Sequence, residues 1–106
     1  MKNGYFQEHW RDEKGDPAGG TTSGRGFTIS WQNGPLGRGE ERKEPNGAFV
    51  EDVIDAAIGR LEHYQRSRFA CADNADAIHY LRRAAAALDN RTKAREARGI
   101  EGTHKE

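Results

Sequence analysis

The feature that most constrains this fold is the spacing of apolar residues between Asn46 and Arg98. In the first half of this segment they recur every three or four residues, the period of one helical face. In the second half they form a narrower stripe, closer to a coiled-coil seam. The residues from Ser67 to Asp73 interrupt the pattern. The segment is therefore predicted to form two helices joined by a short turn.

The two predicted stripes are long enough to bury one face of each helix. They comprise Phe49, Val50, Val53, Ile54, Ala57, Ile58, Leu61 and Tyr64 in the first helix, and Ile78, Leu81, Ala84, Ala85 and Leu88 in the second.

The ends of both helices carry residues that commonly begin or stop a helix. Asn46 is expected to cap the first helix, and the pair Asp73-Asn74 to cap the second. Gly99 is a natural C-terminal stop. Gly59 lies inside the first helix, where it costs up to about 1 kcal/mol relative to alanine. We expect close packing against a neighbour to explain it.

The residues before the helices favour a small β-rich part. Phe27 to Gln32 alternates between apolar and polar side chains, the pattern of a half-buried strand. Met1 to Trp10 is a second candidate strand. Arg11 to Gly24 is rich in charge and then in Gly, Ser and Thr, which predicts a flexible loop. Leu36 to Glu44 is predicted to be a loop rich in glycine and charge.

The predicted fold is α+β, a two-helix antiparallel hairpin with a small N-terminal β-rich segment. We expect a single domain over residues 1–106, with a β-rich part at 1–45, the hairpin at 46–98 and a tail at 99–106. Of the 106 residues, 34% are hydrophobic and 32% are charged. This hydrophobic fraction is low for a chain of this size and limits the core that one copy can bury. Self-association would supply a second layer, so we predict a homo-oligomer formed through the helices.

Bulk properties also exclude several classes of protein. The formal net charge is zero, which argues against a general DNA or RNA binder and against a polybasic membrane protein. No apolar run approaches the roughly 20 residues that span a bilayer, and the N-terminus lacks the apolar core of a signal peptide. The single cysteine permits no internal disulfide, so we expect a cytosolic protein.

Catalysis finds little support in the sequence. Cys71 lies in the predicted turn and is expected to be a small buried residue rather than a nucleophile. His63 and His79 can approach each other from the two helices, but a metal site needs a third ligand that the pattern does not supply. We predict neither an enzyme nor a bound cofactor or metal.

Two basic segments can receive an anion. In the loop Gly34–Gly39, glycines allow backbone N–H groups to approach a phosphate, and Arg38 with Arg42 adds charge. The alternative is a plain surface loop whose charge is balanced by three glutamates. In the second helix Arg91, Arg95 and Arg98 share one face. In an oligomer such rows can surround one anion, but on residues alone a solvated basic helix end is the simpler interpretation.

The aromatic residues near the turn suit a flat ligand. Tyr64 and Phe69 lie close in sequence to Arg66 and Arg68, and together they offer stacking surfaces for a nucleobase. The alternative is that Tyr64 simply completes the apolar stripe of the first helix.

Six segments carry a family resemblance. They are Gly26–Gly37, Asn46–Glu51, Arg60–Phe69, Asn74–Leu81, Leu88–Thr92 and Arg98–His104. In them the chain resembles the phage nucleotide-sponge family, the first-named Thoeris anti-defence proteins. It is also similar to the related anti-CBASS sponge, which shares the helical hairpin. The strand segment favours the anti-Thoeris branch.

The resemblance implies sequestration without chemistry. Such proteins bind cyclic nucleotide immune signals, including glyco-cyclic ADP-ribose and in some members cyclic oligonucleotides. They assemble as dimers or hexamers and act in the cytoplasm of the infected bacterial host. Carried over to this sequence, Tyr64 matches the base-stacking group, and Asn74 and Arg91 match polar ligand-holding positions. For a cyclic trinucleotide the resemblance implies Arg95, Arg98, Thr103 and His104.

Two other functions compete with the sponge. The first is a protein–protein adaptor or inhibitor whose hairpin docks on a partner through helix packing. The second is a phosphodiesterase-like enzyme that destroys the nucleotide, against which the lack of a metal-ligand cluster in the sequence argues. A sponge releases its ligand intact, whereas an enzyme releases a cleaved product. A sponge also binds the nucleotide in the absence of a second protein, which an adaptor does not do.

Overall fold

The computed structural model describes residues 4–99, which divide into two compact units. The N-terminal unit, which comprises residues 4–49 together with residues 98–99, contains three strands and one short 3-10 turn at Gly39–Glu41. The hairpin unit, Val50–Ala97, contains two helices. The elements are β1 (Phe6–Arg11), β2 (Pro17–Gly24), β3 (Phe27–Trp31), α1 (Val50–Gln65) and α2 (Ala72–Ala97). The α+β class is confirmed, while the single-domain organisation stays a prediction.

The sheet of the N-terminal unit is antiparallel, in the order β1-β2-β3. Its register places Phe6 opposite Ser23 and Thr21 opposite Ser30. The predicted strands at both edges are confirmed. The flexible loop predicted from Arg11 to Gly24 is wrong, because residues 17–24 form the central strand. This strand has no apolar alternation, and it is ordered by backbone pairing along both of its edges.

A chain of side-chain hydrogen bonds crosses all three strands on one face of the sheet. Thr22 is buried, and its hydroxyl accepts a bond from the Trp31 indole N–H at 2.8 Å. The same hydroxyl donates to the Gln7 side-chain oxygen at 3.3 Å. Ile29 lies directly opposite Thr22, so it shares this face with Trp31, as the alternation predicted.

The segment after β3 is closed by a second set of polar contacts. Asn46 accepts a bond from the Asn33 N–H at 2.8 Å and donates its amide to the Asn33 carbonyl at 3.1 Å. Ala48 then pairs with Trp31 in a parallel bridge. A Cβ on Gly47 would lie 2.6 Å from the Trp31 carbonyl carbon, so this close approach requires glycine. The predicted capping role of Asn46 is therefore wrong: the helix begins at Val50, and Asn46 closes the loop of residues 33–46.

The hairpin unit confirms the two predicted helices. In α2 the buried or half-buried positions alternate by four and three residues, as in a coiled-coil seam. They are Asn74, Ile78, Leu81, Ala85, Leu88, Thr92 and Arg95, with Ala77 beside them. Ile78 is 8% exposed. Arg82 of α2 forms an ion pair with Glu62 of α1.

Three details of the predicted helices differ from the structure. Val50, Ala57 and Ala84 were assigned to the apolar stripes but are exposed. Helix α2 begins at Ala72, one residue before the predicted capping pair. A Cβ on Gly59 would meet no atom of residues 4–99 within 4 Å, so close packing among the described residues does not explain that glycine. Neither helix in the described residues is long and apolar enough to cross a membrane.

Candidate functional site

The candidate ligand-binding residues are spread over both units. Five of them lie in the hairpin unit, namely Tyr64, Phe69, Asn74, Arg91 and Arg95. Arg38 lies in the N-terminal unit, and Arg98 follows the last residue of α2. Thr103 and His104 lie outside the described residues.

The end of the hairpin where α1 meets α2 carries two arginine–aromatic pairs. The guanidinium carbon of Arg60 lies 4.9 Å from the centre of the Tyr64 ring, and its Nε donates to the Tyr64 hydroxyl at 3.3 Å. The guanidinium carbon of Arg68 lies 4.4 Å from the centre of the Phe69 ring. Both distances are typical of cation–π contacts. We call residues Arg60, Tyr64, Arg66, Arg68 and Phe69 the hairpin end.

The hairpin end offers both groups that a nucleotide requires. Phe69 is 58% exposed, so a large part of its side chain is open to solvent. Arg66 and Arg68 are exposed, and residues 66–71 contain no acidic side chain. Planar guanidinium groups bind phosphates with paired hydrogen bonds, and aromatic faces stack on bases. Tyr64 is half-buried, so it belongs in part to the helix-facing stripe, as the alternative interpretation held.

The turn itself has an unusual construction. A helix commonly ends at a glycine in the left-handed region, yet residues 66–71 contain no glycine or proline. No non-glycine residue in the described chain has a positive φ. Side chains bind the turn instead: the Ser67 hydroxyl donates to the Tyr64 carbonyl at 2.6 Å and accepts from the Phe69 N–H at 3.1 Å.

Gln65 makes the longest of these connections across the turn. Its side-chain oxygen accepts from the Cys71 N–H at 3.0 Å, and its amide donates to the Cys71 carbonyl at 3.1 Å. One carboxamide therefore binds both backbone polar groups of the residue that precedes α2. We call this pair of bonds the Gln65 bridge.

Cys71 itself is exposed, so the prediction of a small buried residue is wrong. The residue stands just before the first turn of α2, where backbone N–H groups lack helical partners. Its sulfur accepts a bond from the Asn74 N–H at 3.4 Å. The thiol occupies the position that the predicted Asp-Asn pair was expected to fill, and solvent reaches it there.

Asn74 lies at the start of the half-buried stripe of α2. Its side-chain amide donates to the Phe69 carbonyl at 3.4 Å. This contact ties the first turn of α2 to the exposed aromatic residue of the hairpin end. The ligand-holding role of Asn74 stays a prediction, but the residue already has a structural partner beside Phe69.

The basic residues near the end of α2 have different surroundings. Arg91 and Arg98 are exposed, whereas Arg95 is half-buried at the end of the stripe. Lys93 pairs with Asp89 at 3.1 Å. Residues 89–98 contain four basic and two acidic side chains, so this segment has a local positive charge. The ligand-binding role of Arg91, Arg95 and Arg98 stays a prediction beside the alternative of a solvated basic helix end.

The glycine-rich loop gives weaker support to an anion site. Gly34, Gly37 and Gly39 have positive φ, so the loop needs these glycines for its own path. The Lys43 N–H donates to the Leu36 carbonyl at 2.7 Å, which uses one backbone donor internally. Residues 38–44 carry as many glutamates as basic residues. The phosphate role of Arg38 stays a prediction beside the alternative of a surface loop.

Two notable residues were not singled out from the sequence. Tyr80 on α2 is 68% exposed. The sequence does indicate this exposure, because position 80 lies off the four-and-three stripe of α2. Gln65 gave no signal, because its partners are backbone atoms six residues away. Among residues 4–99, no group of three or more His, Cys, Asp or Glu side chains is placed to hold a metal ion.

Comparison with known proteins relates the chain to a family of phage proteins. A family model described as the Acb2/Tad1 hairpin domain matches residues 25–93. Thoeris anti-defense 1 from Bacillus phage SBSphiJ7 is 42% identical to this chain over 82 residues. The alignment covers 77% of this chain and 55% of the relative. The chain therefore spans about half the length of the curated relative it matches.

The family match also divides the candidate residues. The matched range contains Arg38, Tyr64, Phe69, Asn74 and Arg91. The four residues suggested for a cyclic trinucleotide lie beyond it, namely Arg95, Arg98, Thr103 and His104.

Proposed function

The chain belongs to the Acb2/Tad1 hairpin family of phage anti-defence proteins, and from this premise we propose that it is a sponge for cyclic nucleotide immune signals. It binds glyco-cyclic ADP-ribose, and in a separate pocket a cyclic di- or trinucleotide, without cleaving either. Sequestration in the cytoplasm of the infected host keeps the signal from its effector and blocks Thoeris or CBASS immunity. The binding unit is a homo-oligomer, a dimer or a hexamer.

The observation that carries this proposal is the pair of arginine–aromatic contacts at the hairpin end. Arg60 lies over Tyr64, and Arg68 lies over the exposed ring of Phe69. A cyclic dinucleotide or ADP-ribose derivative carries two phosphates and one or two flat bases. An aromatic face with an adjacent guanidinium supplies a stacking surface and a phosphate donor together. Arg91 adds a second exposed guanidinium on α2.

The role also sets the affinity that the site must reach. A sponge succeeds only when it binds its signal more tightly than the effector does. A dissociation constant of about 10 nM corresponds to roughly −11 kcal/mol. Side chains on helices and on a hydrogen-bonded turn lose little conformational freedom when ligand binds, which favours such affinity. Nucleophilic or metal-assisted chemistry is not part of this proposal.

Isothermal titration of the purified protein tests the proposal. Glyco-cyclic ADP-ribose and a cyclic trinucleotide are titrated separately, and each is checked for integrity afterwards. Tight binding of either intact ligand, with no second protein present, is the expected result. The stoichiometry then shows whether the pockets lie at dimer or higher-order interfaces. Absence of binding heat with both ligands would contradict the proposal that the protein is a nucleotide sponge.

One observation favours a second candidate, a helical adaptor. Tyr80 is 68% exposed, and Ala84 and Ala87 follow it at helical spacing and are exposed as well. Such a surface fits the docking of a helix into the groove of a protein partner. Binding of a nucleotide in the absence of any protein partner decides against the adaptor.

A further inference from the structure

We infer that Gln65 is a positioning residue that orders the hairpin end before ligand arrives. The inference rests on the proposed function, because the ligand it serves is the nucleotide bound there. Gln65 itself neither stacks on a base nor binds a phosphate. It acts through the turn that carries Arg68 and Phe69.

The composition of the turn does not by itself select one backbone conformation. Residues 66–71 have no glycine, no proline and no positive φ, so no residue of restricted or special backbone conformation dictates its path. Two arginines in a short exposed turn repel each other and favour an open ensemble. Some other interaction must therefore select one conformation.

The Gln65 bridge supplies an interaction that joins the two ends of the turn. Its bonds to the Cys71 N–H at 3.0 Å and to the Cys71 carbonyl at 3.1 Å join the last residue of α1 to the residue before α2. A carboxamide has one acceptor and one donor end, so it matches both groups of one peptide residue. The bridge fixes the distance between the two ends of the turn.

The bridge is connected to the exposed aromatic residue through Ser67 and Asn74. Between the two ends, Phe69 is held by bonds from its N–H to the Ser67 hydroxyl at 3.1 Å and from the Asn74 amide to its carbonyl at 3.4 Å. Ser67 follows α1, and Asn74 belongs to α2. Their bonds to Phe69 form together only while the helix ends keep their separation. Loss of the bridge therefore releases Phe69 and, with it, the Arg68 contact at 4.4 Å.

The experiment compares the wild type with Gln65→Met, which keeps the length and the neutral charge of the side chain but removes both bonds. The matched control is Asn90→Met, which replaces an exposed carboxamide within α2. Titration with glyco-cyclic ADP-ribose should show about tenfold weaker binding for Gln65→Met, since each hydrogen bond contributes modestly to order. The melting temperature should fall by less than about 5 °C. Asn90→Met should match the wild type in affinity.

Spectra of the ligand-free proteins supply a readout that does not depend on binding. Protons of the Arg68 side chain lie over the Phe69 ring, so their NMR resonances should be shifted upfield in the wild type and in Asn90→Met. In Gln65→Met they should return toward the values of an unstructured arginine. The Cys71 amide proton should also exchange faster with solvent in that variant.

The outcomes separate this inference from the proposed function. If the wild type binds no nucleotide, the proposed function fails and the ligand-positioning role fails with it, whatever the spectra show. If the wild type binds, unchanged Arg68 resonances or unchanged affinity in Gln65→Met overturns the inference alone. Global unfolding of Gln65→Met overturns it as well, because the bridge would then hold the hairpin together rather than orient its end.

Discussion

The two units of this chain are stabilised by different forces. In the N-terminal unit the strands are held by backbone pairing and by the polar chain through Thr22, and most of β1 and β3 is exposed. In the hairpin unit α1 packs against α2, and the most buried side chain of α2 is Ile78, which lies in its four-and-three stripe. The two edge strands of this sheet are mostly exposed and bury little apolar area, so the sheet relies on its hydrogen bonds, whereas a helix pair draws most of its stability from packed apolar faces. The comparison indicates which substitutions each unit tolerates.

The irregular connections of the two units, in contrast, are closed in the same way. Asn46 binds the N–H and carbonyl of Asn33, and Gln65 binds the N–H and carbonyl of Cys71. In both, one side-chain carboxamide makes the two hydrogen bonds that a neighbouring strand would otherwise make to that residue's backbone. The loop in the N-terminal unit needs glycines with positive φ, while the hairpin turn has none. The carboxamide therefore contributes more to the conformation of the hairpin turn, where no glycine with positive φ helps to set the path of the backbone.

The largest expected effect is loss of apolar packing in the hairpin unit. Ile78→Ala removes the most buried side chain of α2 and should lower the free energy of unfolding by about 3 kcal/mol. Chemical denaturation followed by circular dichroism at 222 nm measures it. Tyr80→Ala is the matched control on the same helix and should change stability by less than about 0.5 kcal/mol. Equal losses in both variants would show that α2 does not use the stripe described here.

The next effect concerns binding rather than stability. Arg91→Ala removes an exposed guanidinium and should weaken nucleotide binding by about tenfold to a hundredfold, the range for a hydrogen bond to a charged group. Arg83→Ala, another exposed arginine of α2, is the control and should bind like the wild type. Titration gives the affinity, and thermal melting gives stability. A clear fall in melting temperature with unchanged affinity would contradict the assignment of Arg91.

A smaller effect tests the polar chain of the sheet. Thr22→Val keeps the shape of the side chain but leaves the Trp31 indole N–H and the Gln7 oxygen without their shared partner. The free energy of unfolding should fall by about 1–2 kcal/mol. Thr28→Val, on the opposite face of the sheet and exposed, should have almost no effect. If both variants are neutral, the sheet does not depend on the Thr22 contacts.

The smallest effect is a gain in stability. Gly59→Ala adds a methyl group that meets no atom of the described part of the chain within 4 Å and should raise the free energy of unfolding by up to about 1 kcal/mol through helix propensity. Thermal melting of a dilute sample measures this. A loss of stability that grows with protein concentration would instead indicate that another copy packs against Gly59 in an oligomer.

The sequence predicted the hairpin unit better than the N-terminal unit, for a physical reason. Apolar spacing shows directly which face of a helix is covered, so α1 and α2 were found within a few residues. Strand β2 was missed because its order comes from partners on both sides, and residues 17–24 carry no apolar pattern. Cys71 was expected inside because thiols usually are, but the turn leaves it exposed.

The candidate site was predictable only in part, for a related reason. Aromatic and arginine residue types mark Tyr64, Phe69 and Arg68 in the sequence itself. Residue type alone predicts a helix cap at Asn46, because capping residues are recognised by type, but its actual partner lies 13 positions earlier. Gln65 shows the same limit, since a bond from a side chain to distant backbone atoms leaves no periodic pattern.

The most direct test of the sponge is the fate of the bound nucleotide. The protein is mixed in excess with glyco-cyclic ADP-ribose, filtered to remove free ligand, heated to denature the protein, and the released ligand is quantified by mass spectrometry. A sponge should deplete the free ligand completely before heating and release all of it as the intact molecule afterwards. Recovery of a cleaved product would contradict sequestration and establish an enzyme, and ligand that passes freely through the filter would contradict binding.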